Sequence, residues 1–277
     1  LLSAGVFLFV ALLGLGFFFL FLPTLPLLWL GLGGSPRKAL AGAGIAAAVI
    51  VTFTDLSTGT FFLLMFGLPS WHISRLSLLS RHAKDCQEWF PLGVLFSQLV
   101  CYACALLIVI AVYFGTRSLG IDEMLSQQLR LAFSHLGAEY AETIDMLAGK
   151  WLFLIVPMGI WLWTMALFAH AWIVHRLLAR KQRVIRPQYR IEVFPLPFAL
   201  LAAIAICALL SFGGSGTLAF LGKSLFISLL CPYFFLGAAW MHDAARAWPN
   251  CDLFVKALRC FPGRQYRLTS CRLSITR

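Results

Sequence analysis

The sequence predicts an all-α protein: a polytopic transmembrane helical bundle of about seven spans, with one amphipathic helical segment outside the cytoplasm. Three observations carry that prediction. The chain is 61% hydrophobic and 12% charged, with a mean hydropathy of +0.87; a soluble domain carries roughly 25% charged residues, so this one cannot cover a water-facing surface. Its apolar residues fall in runs that approach the ~20 residues a helix needs to cross a bilayer. Its cations fall between those runs, in clusters that alternate by side.

The runs can be taken in order. Val6–Leu22 is nearly long enough to span and is closed by Pro23. It has no basic leader and no small-residue cleavage site, so it reads as a span and not as a signal peptide. Thr24–Gly34 is apolar but short and framed by prolines and glycines, which suits a half-helix or a re-entrant piece. Ser35 and Pro36 read as an N-cap and a first-turn proline that start a helix through Asp55. The spans Ser57–Ser74, Phe90–Gly115, Trp151–His175, Pro195–Phe212 and Leu218–His242 follow. Between them, Ser118–Lys150 repeats apolar residues every three to four positions, from Ile121 and Leu125 to Ile144 and Leu147. That period marks an amphipathic helix, or two broken near Gly137, resting on the membrane or capping the bundle. Residues 1–245 thus form the membrane domain. Residues 246–277 are basic, lack a spanning run and carry several cysteines. They read as a disordered cytoplasmic tail or as the product of a reading-frame slip that replaced a final helix.

Charge placement sets the orientation. If each later run crosses once, Arg37, Lys38, Arg75, Arg81, Lys84, the run Arg176, Arg180, Lys181, Arg183, Arg186 and Arg190, and the tail all share one side: 18 of the 22 cations. Arg117, Arg130 and Lys150 fall on the other, beside Asp122, Glu123, Glu139, Glu142 and Asp145. Translocating Lys and Arg is disfavoured, so the cation-rich side is cytoplasmic and the C-terminus lies there. The Arg176–Arg190 run is therefore a topology anchor whose cations face lipid headgroups. No nucleic-acid-binding fold accompanies it, and no nucleic-acid partner is expected.

Chemistry-bearing clusters are few. Thr52, Thr54, Asp55, Ser57, Thr58 and Thr60 gather at the junction of two spans. Asp55 and Thr58 could hold a cation or a polar ligand, or Asp55 could cap the following helix, which is the preferred reading. His170 and His175 lie five apart, whereas metal-binding pairs on a helix sit at shorter spacings; His170 is either a ligand contact or a bond to a neighbouring helix. On the same helix, Trp151 and Trp172 fit the interfacial belts, and Trp161 and Trp163 lie at mid-depth, where they could line a cavity. Lys223 is close enough to a helix end to snorkel. Cys101, Cys104, Cys207 and Cys231 sit in apolar runs and read as packing residues; no spacing suggests a disulfide framework, a zinc site or any other metal site. HExxH and GxSxG are absent, so neither enzyme nor cofactor is expected. The binding candidates are Asp55, Thr58, Trp163 and His170.

Four stretches carry a resemblance: "SRHAKDCQEWFPLGVLF" (residues 80–96), "LPTLPLLWLGLGGSPRKALAGAG", "ALFAHAWIVHRLLARKQRVIRPQYRIEVFPLP" and "LCPYFFLGAAWMHDAARAWP". Across most of residues 1–249 the chain resembles the YybS-like family of bacterial multi-pass membrane proteins, also called domain of unknown function 2232. The family pattern continues with another apolar helix where this chain has its basic tail. The family has no established reaction and no agreed functional residues. Its distant likeness to substrate-binding subunits of energy-coupling-factor transporters implies small-molecule binding, with a membrane protein as coupling partner. A transport-related solute-binding subunit is therefore the first expectation, and a non-transporting envelope scaffold the alternative.

Overall fold

The computed structural model describes residues 1–13, 21–83, 86–115, 120–133, 140–182, 186 and 195–247; for 10–13, 82–83, 86, 115 and 242–247 it describes the backbone alone. Among these, helices dominate. They are α1 (Leu2–Leu13), α2 (Thr24–Gly33), α3 (Pro36–Phe53) and α4 (Leu56–Phe62), then a π-helical turn (Leu63–Gly67) and α5 (Leu68–Ser77). A hairpin of β1 (Ser80–Ala83) and β2 (Cys86–Trp89) follows. The chain continues with α6 (Leu92–Gly115), α7 (Ile121–Phe133), α8 (Ala141–Gly149), α9 (Leu152–Arg180), α10 (Ala199–Gly213), α11 (Gly216–Leu229) and α12 (Cys231–Ala247). Lys84, Arg117, Gly137, Glu139, Arg183, Arg190 and the tail from residue 248 lie outside the described residues.

Among the described residues four helices are long and apolar enough to cross a membrane: Pro36–Phe53, Leu92–Phe114, Leu152–Arg180 and the stretch Gly216–Met241 that runs through α11 into α12. Thr24–Gly33 and Ala199–Gly213 are shorter apolar helices. The expected span Ser57–Ser74 is present as three pieces, α4, the π turn and α5. Pro69 accounts for the interruption: its ring clashes with the carbonyl four residues back, and the helix escapes by widening one turn.

The hairpin lies between two expected spans, where the sequence showed only a cluster of cations. Arg81 stands opposite Glu88 and its Nε donates to Glu88 Oε2 at 2.6 Å; Gln87 Nε2 donates to Ser80 Oγ at 2.8 Å. These cross-strand pairs fix the register, and Phe90 N–H extends the ladder to Leu79 O at 3.0 Å.

The apolar interior falls into two clusters. The first joins α1–α5 to one face of α9 through Phe7, Leu28, Ile50, Phe62, Phe66, Ile73, Trp163 and Leu167. The second joins α6 and α10–α12 to another face of α9 through Phe96, Val100, Leu107, Cys207, Leu225 and Cys231. Ile160 and Phe168 of α9 pack against both, and Phe168 meets Phe96 edge-to-face at 4.9 Å. In the second half α10 and α11 approach backbone to backbone. A Cβ on Gly222 would lie 2.6 Å from Ser211 N, so only glycine permits this contact, the close approach that small residues give membrane helices.

The two ends of the bundle differ in charge. Lys181 lies over the Trp29 ring at 5.1 Å and Arg186 bonds the C-terminal carbonyl of α5. These contacts bring the end of α2, the start of α3, the end of α5, the hairpin and the end of α9 together. Arg37, Lys38, Arg75, Arg81, Arg176, Arg180, Lys181 and Arg186 therefore share one end, where Glu88 pairs with Arg81. The opposite end holds Asp55, Asp122, Glu123, Glu142 and Asp145 with Arg130, Lys150 and Lys223. Here α7 and α8 are tied to each other by Arg130 Nε and Asp145 Oδ1 at 2.9 Å, and α7 packs against α6, α9 and α11.

Candidate functional site

Asp55 is the N-cap of α4, in extended conformation with φ −149°. Its carboxylate accepts from Ser57 Oγ, from Thr58 N–H at 2.9 Å and from Thr58 Oγ1 at 2.9 Å. The Ser57 hydroxyl, followed by the two Thr58 donors, draws its pKa down to about 2, because each bond favours the ionised form. The helix begins at Leu56, immediately after the cap. Asp55 and Thr58 thus satisfy each other at an exposed helix start.

Trp163 reaches a different break. In an α-helix residue 69 would donate to Met65 O, and in the π register to Leu64 O. Leu68 N–H does bond Leu63 O in the π register, but residue 69 is proline and has no N–H to give. Leu64 O and Met65 O are the two carbonyls that side chains fill. Tyr102 Oη–H donates to Leu64 O at 2.7 Å, and Trp163 Nε1–H donates to Met65 O at 3.2 Å. The two rings stack on each other, 6.2 Å apart and inclined by 17°.

Trp161 does the same on the other face of α9. Two positions apart on a helix means about 200° of rotation, so one indole enters each cluster. Trp161 Nε1–H donates at 3.1 Å to Ile227 O, one of the last carbonyls of α11 before Pro232. The sequence suggested that both indoles could line a mid-depth cavity; each spends its N–H on a backbone carbonyl of a neighbouring helix. Trp163 caps a carbonyl that Pro69 leaves open, which water cannot do inside a bilayer, and Trp161 bonds a carbonyl in the last turn of α11.

His170 meets Thr24 on α2, Nδ1 to Oγ1 at 2.9 Å. The Thr24 hydroxyl already donates to Phe21 O at 2.7 Å, so the imidazole carries its hydrogen on Nδ1 and Thr24 accepts it. This is the helix-to-helix bond that was the alternative to a ligand contact.

The cation-rich end divides. Arg180 and Lys181 are exposed and Arg176 is half-buried over Trp172, its guanidinium 4.3 Å from the ring centre. Arg75 lies 5.5 Å from the Trp71 ring. Such cation–aromatic pairs suit a headgroup belt. Arg186 is a correction to the run of lipid-facing cations: it is buried. Its guanidinium donates to Ser77 O at 3.3 Å and to Phe90 O at 3.0 Å, and lies 5.8 Å from the Trp89 ring. Its own carbonyl accepts from His175 Nε2–H at 3.1 Å. The planar fork of arginine can serve two carbonyls at once, so Arg186 pins its loop to the ends of α5 and the hairpin.

The opposite end carries an open cleft of about 470 Å³ between α7, α8, α9 and α11. Its polar lining is Asp122, Glu123, Ser126, Arg130, Lys150 and Lys223; Leu152, Phe153 and Phe220 form apolar walls. Asp122 Oδ1 accepts from Thr217 Oγ1 at 3.0 Å. Gly120 permits that bond, since a Cβ there would lie 2.6 Å from Asp122 Oδ1 and 2.8 Å from Thr217 Oγ1. Lys223 Nζ lies 5.7 Å from the centre of the Phe153 ring. None of Asp55, Thr58, Trp163 and His170 lines this cleft: Asp55 and Thr58 bond each other at an exposed helix start, and Trp163 and His170 bond neighbouring helices. From the sequence Lys150 is a cation of the acid-rich side and Lys223 a snorkelling lysine near a helix end. The cleft joins residues about a hundred positions apart, so no local motif announces it.

The fold and its ends define a class, a helical bundle with several helices apolar enough for a membrane. No protein-family model, no curated protein and no solved structure matches the chain.

Proposed function

We propose that this is a multi-pass protein of the bacterial cytoplasmic membrane that binds a small solute, a transport-related subunit rather than an enzyme. This accords with what the resemblance to the YybS-like family implies. In this reading the cation-rich end faces the cytoplasm, because translocating Arg and Lys is disfavoured. The α7–α8 pair is the amphipathic segment outside it, capping the bundle. To the four long helices are added Leu2–Leu13 with the residues after it, the proline-broken stretch from Leu56 to Ser77, and Ala199–Gly213, giving about seven crossings. A membrane protein partner supplies any coupling.

The observation that carries the proposal is the cleft at the acid-rich end. At about 470 Å³ it falls within the roughly 300–1,000 Å³ of small-molecule sites, and it combines apolar walls with a few polar groups as such sites do. The test is thermal stability of the full chain in detergent against metabolites, vitamins and metal ions. A solute at 100 times its dissociation constant should add about 2.7 kcal/mol. Lys223→Met should shrink that gain and Asp55→Asn should leave it intact. Stability unmoved by every compound, with an envelope protein co-purifying, would replace this reading with the scaffold.

A further inference from the structure

The cleft holds charges of both signs that do not neutralise one another. Arg130 is committed to Asp145 at 2.9 Å. Among the described residues no ion pair joins Lys150 or Lys223 to Asp122 or Glu123, although all four line the same cleft. Asp122 is held in place by Thr217, and Lys223 by the face of the Phe153 ring. Two cations and two carboxylates thus border one open cleft, with Phe153 and Phe220 as apolar walls.

A solute with a single charge would satisfy one pair and meet repulsion from the other. A neutral solute would strip water from four ionised groups without replacing it, which is costly. A molecule with a carboxylate and an ammonium on one small apolar body answers both pairs at once. We infer that the cleft binds an amino-acid-class zwitterion: its carboxylate against Lys150 and Lys223, its ammonium against Asp122 and Glu123, and its side chain against Phe153 and Phe220. Charge-assisted hydrogen bonds of this kind are the strong ones. The inference rests on the reading of the protein as a solute binder and names the solute's class.

The experiment uses the full chain in detergent at low salt, with the twenty L-amino acids as probes, followed by the amide and the N-acetyl derivative of the best binder. The amide lacks the carboxylate charge and the N-acetyl form lacks the ammonium, so the comparison needs no altered protein. The free amino acid should raise the unfolding temperature, and each derivative should bind at least about tenfold more weakly, since each forfeits one set of charged hydrogen bonds. In Lys223→Met the preference over the amide should collapse while the preference over the N-acetyl form persists; Asp122→Asn should do the reverse. Derivatives that bind as well as their parent, or stabilisation confined to another class of compound, would overturn the zwitterion and leave solute binding standing. Silence from every class of solute would remove both.

Discussion

Asp55 shows how one residue's chemistry was readable and its purpose was not. A carboxylate among threonines at a helix junction announces polar bonding, and the bonds are there, spent on Ser57 and Thr58. The pKa near 2 against an ordinary 3.8 has a consequence for acid stability. A carboxylate whose folded pKa is depressed adds stability above its unfolded pKa and loses it as pH falls through the folded one. The contribution of the cap is therefore full near neutrality and fades between pH 3.8 and about 2. Asp55→Ala should lower the unfolding temperature at pH 7 by more than it does at pH 2, while Asp55→Asn, which keeps a cap acceptor but not the charge, should cost less than alanine at pH 7. Melting curves across pH test this, and an alanine effect that does not vary with pH would refute it. Arg186 teaches the complementary lesson. Its neighbours in sequence are cations, so composition assigned it to the headgroups; only the tertiary fold brought its guanidinium to the carbonyls of Ser77 and Phe90.

Among the elements, the proline-broken stretch from Leu56 to Ser77 is the most instructive. Pro69 was visible, and so were Tyr102 and Trp163, but nothing local links them. Their partnership follows from an orphaned pair of carbonyls that must be satisfied away from water. The clamp predicts energetic coupling. Tyr102→Phe removes one hydroxyl and keeps the ring, and should cost about 1 kcal/mol, in the range measured for bonds between membrane helices. In a Pro69→Ala background the restored N–H can close the helix, so the same change should cost close to nothing. Strictly additive losses in the double mutant would show that the hydroxyl does not answer the proline. The long helices α3, α6 and α9 were legible within a few residues because apolar length alone specifies them. The hairpin was not, because strand pairing depends on partners that the alternation of four residues does not declare.

The whole molecule is governed by its two unlike ends. Reporter fusions read that asymmetry directly: a fluorescent protein joined after Gln182 should fold and shine in the cytoplasm, and alkaline phosphatase joined after Gly149 should be active. The reverse pattern would invert the bundle, and release of the protein from vesicles by alkaline carbonate would remove it from the membrane altogether. The same asymmetry places the cleft on the acid-rich side, beneath α7 and α8.

By itself, the sequence determined that this chain is helical and apolar on the scale of a bilayer, and which ends of its helices gather cations. These properties are sums over many residues, or periods within one segment, and need no knowledge of what touches what. Tertiary structure alone decided which carbonyl each tryptophan serves, which arginine is buried, and that Asp122, Lys150 and Lys223 border one cleft. Those facts depend on contacts between residues far apart along the chain, and burial, hydrogen bonding and charge pairing take their meaning only once the helices have been brought together.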